Sequence, residues 1–192
     1  MKSNRIHDGI DGTLLFEEVS AEVAREYLGA RAESIVFGTN EGSGFRAKVN
    51  ELCKRMREGG GYREIDDQVF SPQDGKLDVV AWKHFSDGLP GKLTLFGQCK
   101  TGTNYGRELT QLQPDSFCKK WIELPLALTP VRLFFVSEAL PESRWSEMSI
   151  DAGLLFDRCR IIDYCGNLSE RVLERARVWT QAAARATGLP GI

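Results

Sequence analysis

The sequence predicts an α/β domain whose sheet is covered on both sides. Three observations lead there. Segments with helical spacing of apolar residues alternate with short runs that are apolar on both faces, such as LDVVAW at 77–82 and VRLFFV at 131–136. Runs of that kind suit strands covered on both sides. Of the 192 residues, 42% are hydrophobic, which is enough to bury a real core. No internal repeat or long linker divides the chain, so one domain over 1–192 is expected, with its core at about 43–136 and helical additions at both ends.

The elements follow in order. Phe16, Val19, Val23, Ala24 and Tyr27 mark one face of a helix over 15–28, and Gly29 stands at its stop. SIVF at 34–37 suits a short extended piece. A second helix over 43–58 has the stripe Phe45, Val49, Leu52, Cys53, Met56, and three glycines at 59–61 end it because they cost too much entropy inside a helix. Val69 and Phe70 suit a strand end before the turn Ser71–Gly75. Residues 77–82 and 92–99 read as two strands joined by a loop containing SDGLPG, an antiparallel hairpin. A helix over 106–121 follows, then the strand 131–136 between Pro130 and Pro141. A helix over 146–158, a strand RIIDY at 160–164 and a last helix over 168–187, closed by Gly188 and Pro190, complete the order.

Composition excludes several functions. The formal net charge is -2, against a protein that wraps DNA by charge alone. Residues 83–132 nevertheless carry 7 basic and 4 acidic side chains, room for a local phosphate-binding surface. No apolar run reaches the roughly 18 residues of a membrane span. The N-terminal MKSNRIHDGIDG lacks the apolar core of a secretion signal, so a cytoplasmic setting is expected. Five scattered cysteines without a CxxC pair argue against a disulfide framework or structural zinc and for buried thiols. GTNEGSG at 38–44 lacks the order of a Walker loop.

The chemistry concentrates in DGKLDVVAWKHFSDGLPGKLTLFGQCKTG at 74–102. Asp78 opens one strand. Gln98 and Lys100 close its partner and share a face by the two-residue period. A hairpin closing near Leu89–Gly91 brings a carboxylate, an amide oxygen and an ammonium to one sheet edge. A carboxylate and a carbonyl suit Mg²⁺ or Mn²⁺, which activate water and polarise phosphate. A lysine beside that water orients it and stabilises developing charge. The backbone carbonyl of Cys99 is a further oxygen ligand. The plainer readings are a strand end at Asp78, a polar strand end at Gln98 and Lys100, and a solvated helix residue at Glu51.

Asp78 followed by Gln98-Cys99-Lys100 on a strand pair after a helix resembles the PD-(D/E)xK, or restriction-endonuclease-like, nuclease superfamily, whose members have a mixed sheet flanked by helices. The resemblance covers about residues 43–136. It implies Asp78 as the metal-binding aspartate, Lys100 as the catalytic lysine and Gln98 in the Asp/Glu position, a QxK variant that removes one charge from the metal site. Many members add a glutamate from the helix before the sheet; Glu51 is the first candidate and Glu41 the second. Asp78, Gln98, Glu51 and the Cys99 carbonyl would then ligate Mg²⁺ or Mn²⁺. The activity implied is metal-dependent hydrolysis of DNA by an endonuclease, in a setting such as bacterial defence against foreign DNA, with a partner subunit or a second copy helping to bind the target. The alternatives are a catalytically inactive nuclease-fold subunit that binds nucleic acid or a partner protein, and a pure protein-interaction module.

Overall fold

The structure, a computed structural model, describes residues 5–38, 44–64 and 76–188. The strand end at 69–70, the turn at 71–75 and Glu41 lie outside them.

Asp8 and Gly9, both at positive φ, turn β1 (Ile6–His7) back onto β2 (Ile10–Asp11). Asp11 then caps α1 (Gly12–Leu28), its carboxylate accepting from the Thr13 amide at 2.8 Å. The helix thus starts three residues earlier than apolar spacing implied. Leu15, Val23, Ala24 and Leu28 are buried, while Tyr27 stays 41% exposed. β3 (Ala32–Val36) follows, then α2 (Phe45–Met56), whose expected stripe is borne out at Val49, Leu52, Cys53 and Met56.

β4 (Val79–Lys83) and β5 (Thr94–Lys100) form the expected antiparallel pair, in register Val79↔Gly97 and Trp82↔Thr94. β3 pairs antiparallel with β4 on its other side. β6 (Val131–Val136) lies parallel to β5, and β7 (Leu154–Phe156) parallel to β6, giving a five-stranded mixed sheet in the order β3-β4-β5-β6-β7. Parallel neighbours need crossovers; α3 (Pro114–Trp121) and α4 (Glu142–Ala152) supply them. The sheet reaches beyond the expected 43–136 core, since β3 and β7 are its edges.

Helices cover both faces. α2 and α3 pack Leu52, Met56, Phe117 and Trp121 over Val80, Trp82 and Phe96. α1 packs Ala21, Val23 and Ala24 over Val79, Ala81, Leu95 and Cys99 on the opposite face. Phe134, Val136 and Leu155 meet Met148 and Ala152 of α4 in a third cluster. Trp82 and Trp121 are core residues, as expected.

Three expectations are corrected. Residues 106–121 are not one helix: a 3₁₀ turn at Tyr105–Arg107 comes first, and α3 starts at Pro114, whose missing N–H and fixed φ suit a first helical position. The helix expected over 146–158 is α4 over 142–152, stopped at Gly153 with φ 75°. RIIDY is not a strand. Asp157 accepts from the Arg160 amide at 3.0 Å and caps α5 (Arg158–Asp163), and the strand is the LLF before it. α6 (Glu170–Thr187), capped by Ser169, packs on α1.

Candidate active site

The site forms where β4 begins and β5 ends. The Asp78 amide donates to the Gly97 carbonyl at 2.9 Å, just before the pair Val79↔Gly97 that ends the ladder. The Cys99 amide donates to Asp78 Oδ2 at 2.8 Å, so backbone holds the carboxylate at the sheet end. In an antiparallel ladder a residue's N–H and C=O point the same way, so the Cys99 carbonyl is directed to the Asp78 side as well. The Asp78 carbonyl accepts from the Phe37 and Gly38 amides at 2.6 and 3.1 Å, tying in the chain just beyond β3.

That chain brings a second carboxylate. A Cβ placed on Gly38 would stand 3.1 Å from Glu17 Oε2 and 3.3 Å from Asp78 Oδ1. Glu17 projects from α1 and is 6% exposed. Lys48 Nζ donates to the Gly38 carbonyl at 2.9 Å and fixes this crossing point. Gln98 is 1% exposed; its Nε2 donates to Gln111 Oε1 at 3.4 Å, and its Oε1 has no donor. Lys100 is ion-paired with Glu108. Leu109 and Leu112 are buried and pin the segment that carries Glu108 and Gln111 over the site.

Burial raises the Asp78 carboxyl from 3.8 to about 6, against the lowering effects of the Cys99 amide, Lys100 and Lys76; the Glu108 charge adds to the rise. Burial also pushes the Cys99 thiol well above its usual range, helped by the Asp78 and Glu17 charges. Cys53 and Cys118 rise to about 11 and about 12, again chiefly by burial. These three sulfurs are thiols at neutral pH, not nucleophiles. Of the five cysteines, Cys53 and Cys99 are buried, Cys118 and Cys165 half-buried and Cys159 exposed, so the expectation of buried thiols holds for two.

The structure brings Asp78 to the Cys99 amide and within electrostatic reach of Lys100, whereas the Gln98 side chain meets Gln111. Glu51 stands apart: it is exposed on α2, opposite the buried stripe Val49, Leu52, Cys53, Met56. His84 is held at the other end of β4, accepting from Trp82 Nε1 at 2.8 Å beside Glu33. Sequence reasoning missed Glu17. Its signal was present in α1, where Glu17, Ser20, Ala21 and Ala24 share a face of small residues. A carboxylate aligned with such a face is carried against the sheet rather than into solvent.

Among the described residues, no group of three or more His, Cys, Asp or Glu side chains could by itself hold a metal ion. Any cation here would depend on the amide and backbone oxygens as well as the two carboxylates. Among the same residues no helix is long and apolar enough to cross a membrane. No family model matches the chain, and neither a curated protein nor a solved structure is significantly similar to it.

Proposed function

We propose that this chain is a metal-dependent nuclease domain that hydrolyses DNA phosphodiesters on a restriction-endonuclease-like version of the mixed sheet. The observation that carries the reading is the approach of the Asp78 and Glu17 carboxylates about Gly38, beside the Cys99 amide and within electrostatic reach of Lys100. The donor set fits a hard divalent cation. Two carboxylate oxygens flank Gly38 so closely that a Cβ there would crowd both, and the buried Gln98 Oε1 lacks a donor. A buried acceptor left unpaired is costly, and a cation would satisfy it.

Asp78 and Glu17 would hold Mg²⁺ or Mn²⁺, with Gln98 Oε1 and the Cys99 carbonyl as further oxygens. When bound, the ion supplies a Lewis acid for the phosphoryl oxygen and activates water at neutral pH. The Cys99 amide keeps the Asp78 carboxylate aimed. Lys100 presents its ammonium to the attacking water and to the charge that grows on the phosphate. Glu108 holds that ammonium in place until the phosphate competes for it. A second copy or partner subunit would extend the grip on DNA, and a cytoplasmic role in defence against foreign DNA belongs to the same proposal.

Two observations favour a second reading, an inactive nuclease-fold subunit that binds nucleic acid or a partner. Gln98 leaves the site one charge short, and Glu108 neutralises Lys100. Incubation of linear, supercoiled and single-stranded DNA with Mg²⁺ or Mn²⁺ separates the two. Wild type should cleave, Lys100→Ala and Glu17→Gln should lose roughly a hundredfold or more, and Glu51→Gln should stay near wild type. DNA binding without cleavage by wild type would transfer the assignment to the inactive subunit.

A further inference from the structure

A cavity of about 530 Å³ opens between α1, α6 and the ends of β5 and β6, beside the candidate active site. We propose that it seats one unpaired base of a DNA strand, a substrate preference that rests on the nuclease reading for the placing of the adjoining phosphate.

The cavity and the site share their walls. Glu17 of α1 turns to the carboxylate pair, while its neighbours Phe16 and Val19 line the cavity. Thr101, which follows β5, lines it too, on the α1 side of the sheet that Cys99 also faces. Ser137, on the same wall, donates its amide to the Lys100 carbonyl at 3.3 Å and its hydroxyl to the Thr101 carbonyl at 3.5 Å. A strand with its phosphate at a cation held by Glu17 and Asp78 would have the cavity, on the same side of the sheet, for the adjoining base.

The lining matches a flat heterocycle with polar edges. Phe16 and Trp179 supply aromatic surface, on which any base can stack. Trp179 is already set. Its ring lies 2.6 Å from where a Cβ on Gly12 would stand, so only glycine admits it, and its Nε1 donates to the Arg5 carbonyl at 3.1 Å. The His7 ring meets it edge-to-face, with centroids 5.3 Å apart. Thr13, Thr101 and Ser137 bring hydroxyl groups for base edges, and Arg5, ion-paired with Asp11 at 2.7 Å, brings the one charged side chain among the described lining residues. A base inside a duplex stack cannot enter such a cavity, so single strands and frayed ends are the ligands it fits.

The test measures binding rather than cleavage. A short fluorescent oligothymidylate and the same strand carrying abasic tetrahydrofuran spacers are titrated by anisotropy in calcium chloride. The expected result is about tenfold or more tighter binding of the strand with bases. Trp179→Ala should collapse that ratio towards one, and so should Ala176→Leu, which fills the cavity and whose melting temperature should match wild type. Lys100→Ala should keep the ratio. Equal binding of the two strands by wild type, or a ratio that Ala176→Leu leaves intact, overturns the proposal. A preserved ratio in a protein that never cleaves sinks the nuclease reading alone; cleavage with a ratio of one sinks the base site alone.

Discussion

Ionised Asp78 works against the fold that holds it. Its carboxyl is raised from 3.8 to about 6 because burial outweighs the Cys99 amide and the nearby lysines. A raised folded value stabilises the protein below the unfolded pKa, and that contribution is lost as pH rises through about 6. Asp78→Asn removes the charge and leaves an oxygen to accept from the Cys99 amide. In EDTA it should melt higher than wild type at pH 8, by up to about 3 kcal/mol, with the gain shrinking by pH 4; thermal melts across that range check it. Gly38 makes a second prediction at this scale. Gly38→Ala would push Glu17 and Asp78 apart, since both oxygens lie within 3.3 Å of the new methyl. Metal affinity, read by titration with Mn²⁺, should fall about tenfold or more. The nearness of Asp78 to Cys99 and Lys100 was legible because strand period and hairpin register are local rules. Glu17 was not, because it comes from a helix sixty residues away whose facing is set by packing.

The hairpin of β4 and β5 is the element on which the site depends. Gly97, on β5, is its tightest point: a Cβ there would come 2.5 Å from Val79 Cγ2 and 3.4 Å from Leu133 Cδ2. Gly97→Ala should cost about 1–3 kcal/mol, visible as a lower midpoint in urea. At the other end of the pair, Lys92 is 2% exposed, and its Nζ donates to the Met56 carbonyl at 2.7 Å and to Glu58 at 3.3 Å. Glu58 also accepts from the Ala127 amide at 2.7 Å, so a paired buried charge joins the end of α2 to β5 and to the chain before β6. The elements that sequence misplaced have the same cause. RIIDY has a strand's composition, yet Ile161 is buried and Ile162 is 64% exposed in a helix that Asp157 caps. Cap chemistry overrode a β-branched pair.

Across the whole molecule, α1 from one end of the chain and the segment 105–112 from its middle close over a single sheet end. If the proposed cation binds there, it binds the folded state alone, so Mg²⁺ or Mn²⁺ should raise the melting temperature of wild type. At a hundred times its dissociation constant the gain is about 2.7 kcal/mol. Glu17→Gln and Asp78→Asn should lose that shift, and a wild type indifferent to both metals would count against the site. The sequence by itself determined the α/β class, the antiparallel hairpin and the approach of Asp78 to Cys99 and Lys100. Those depend on periods of two and 3.6 residues and on turns, all of them short-range. Tertiary structure alone decided that α1 delivers the second carboxylate, that Glu108 meets Lys100 and that an aromatic cavity adjoins the site. The first and last join residues far apart in the chain, fixed by which helix face the sheet buries, and the Glu108–Lys100 pair depends on how the buried Leu109 and Leu112 seat the loop after β5.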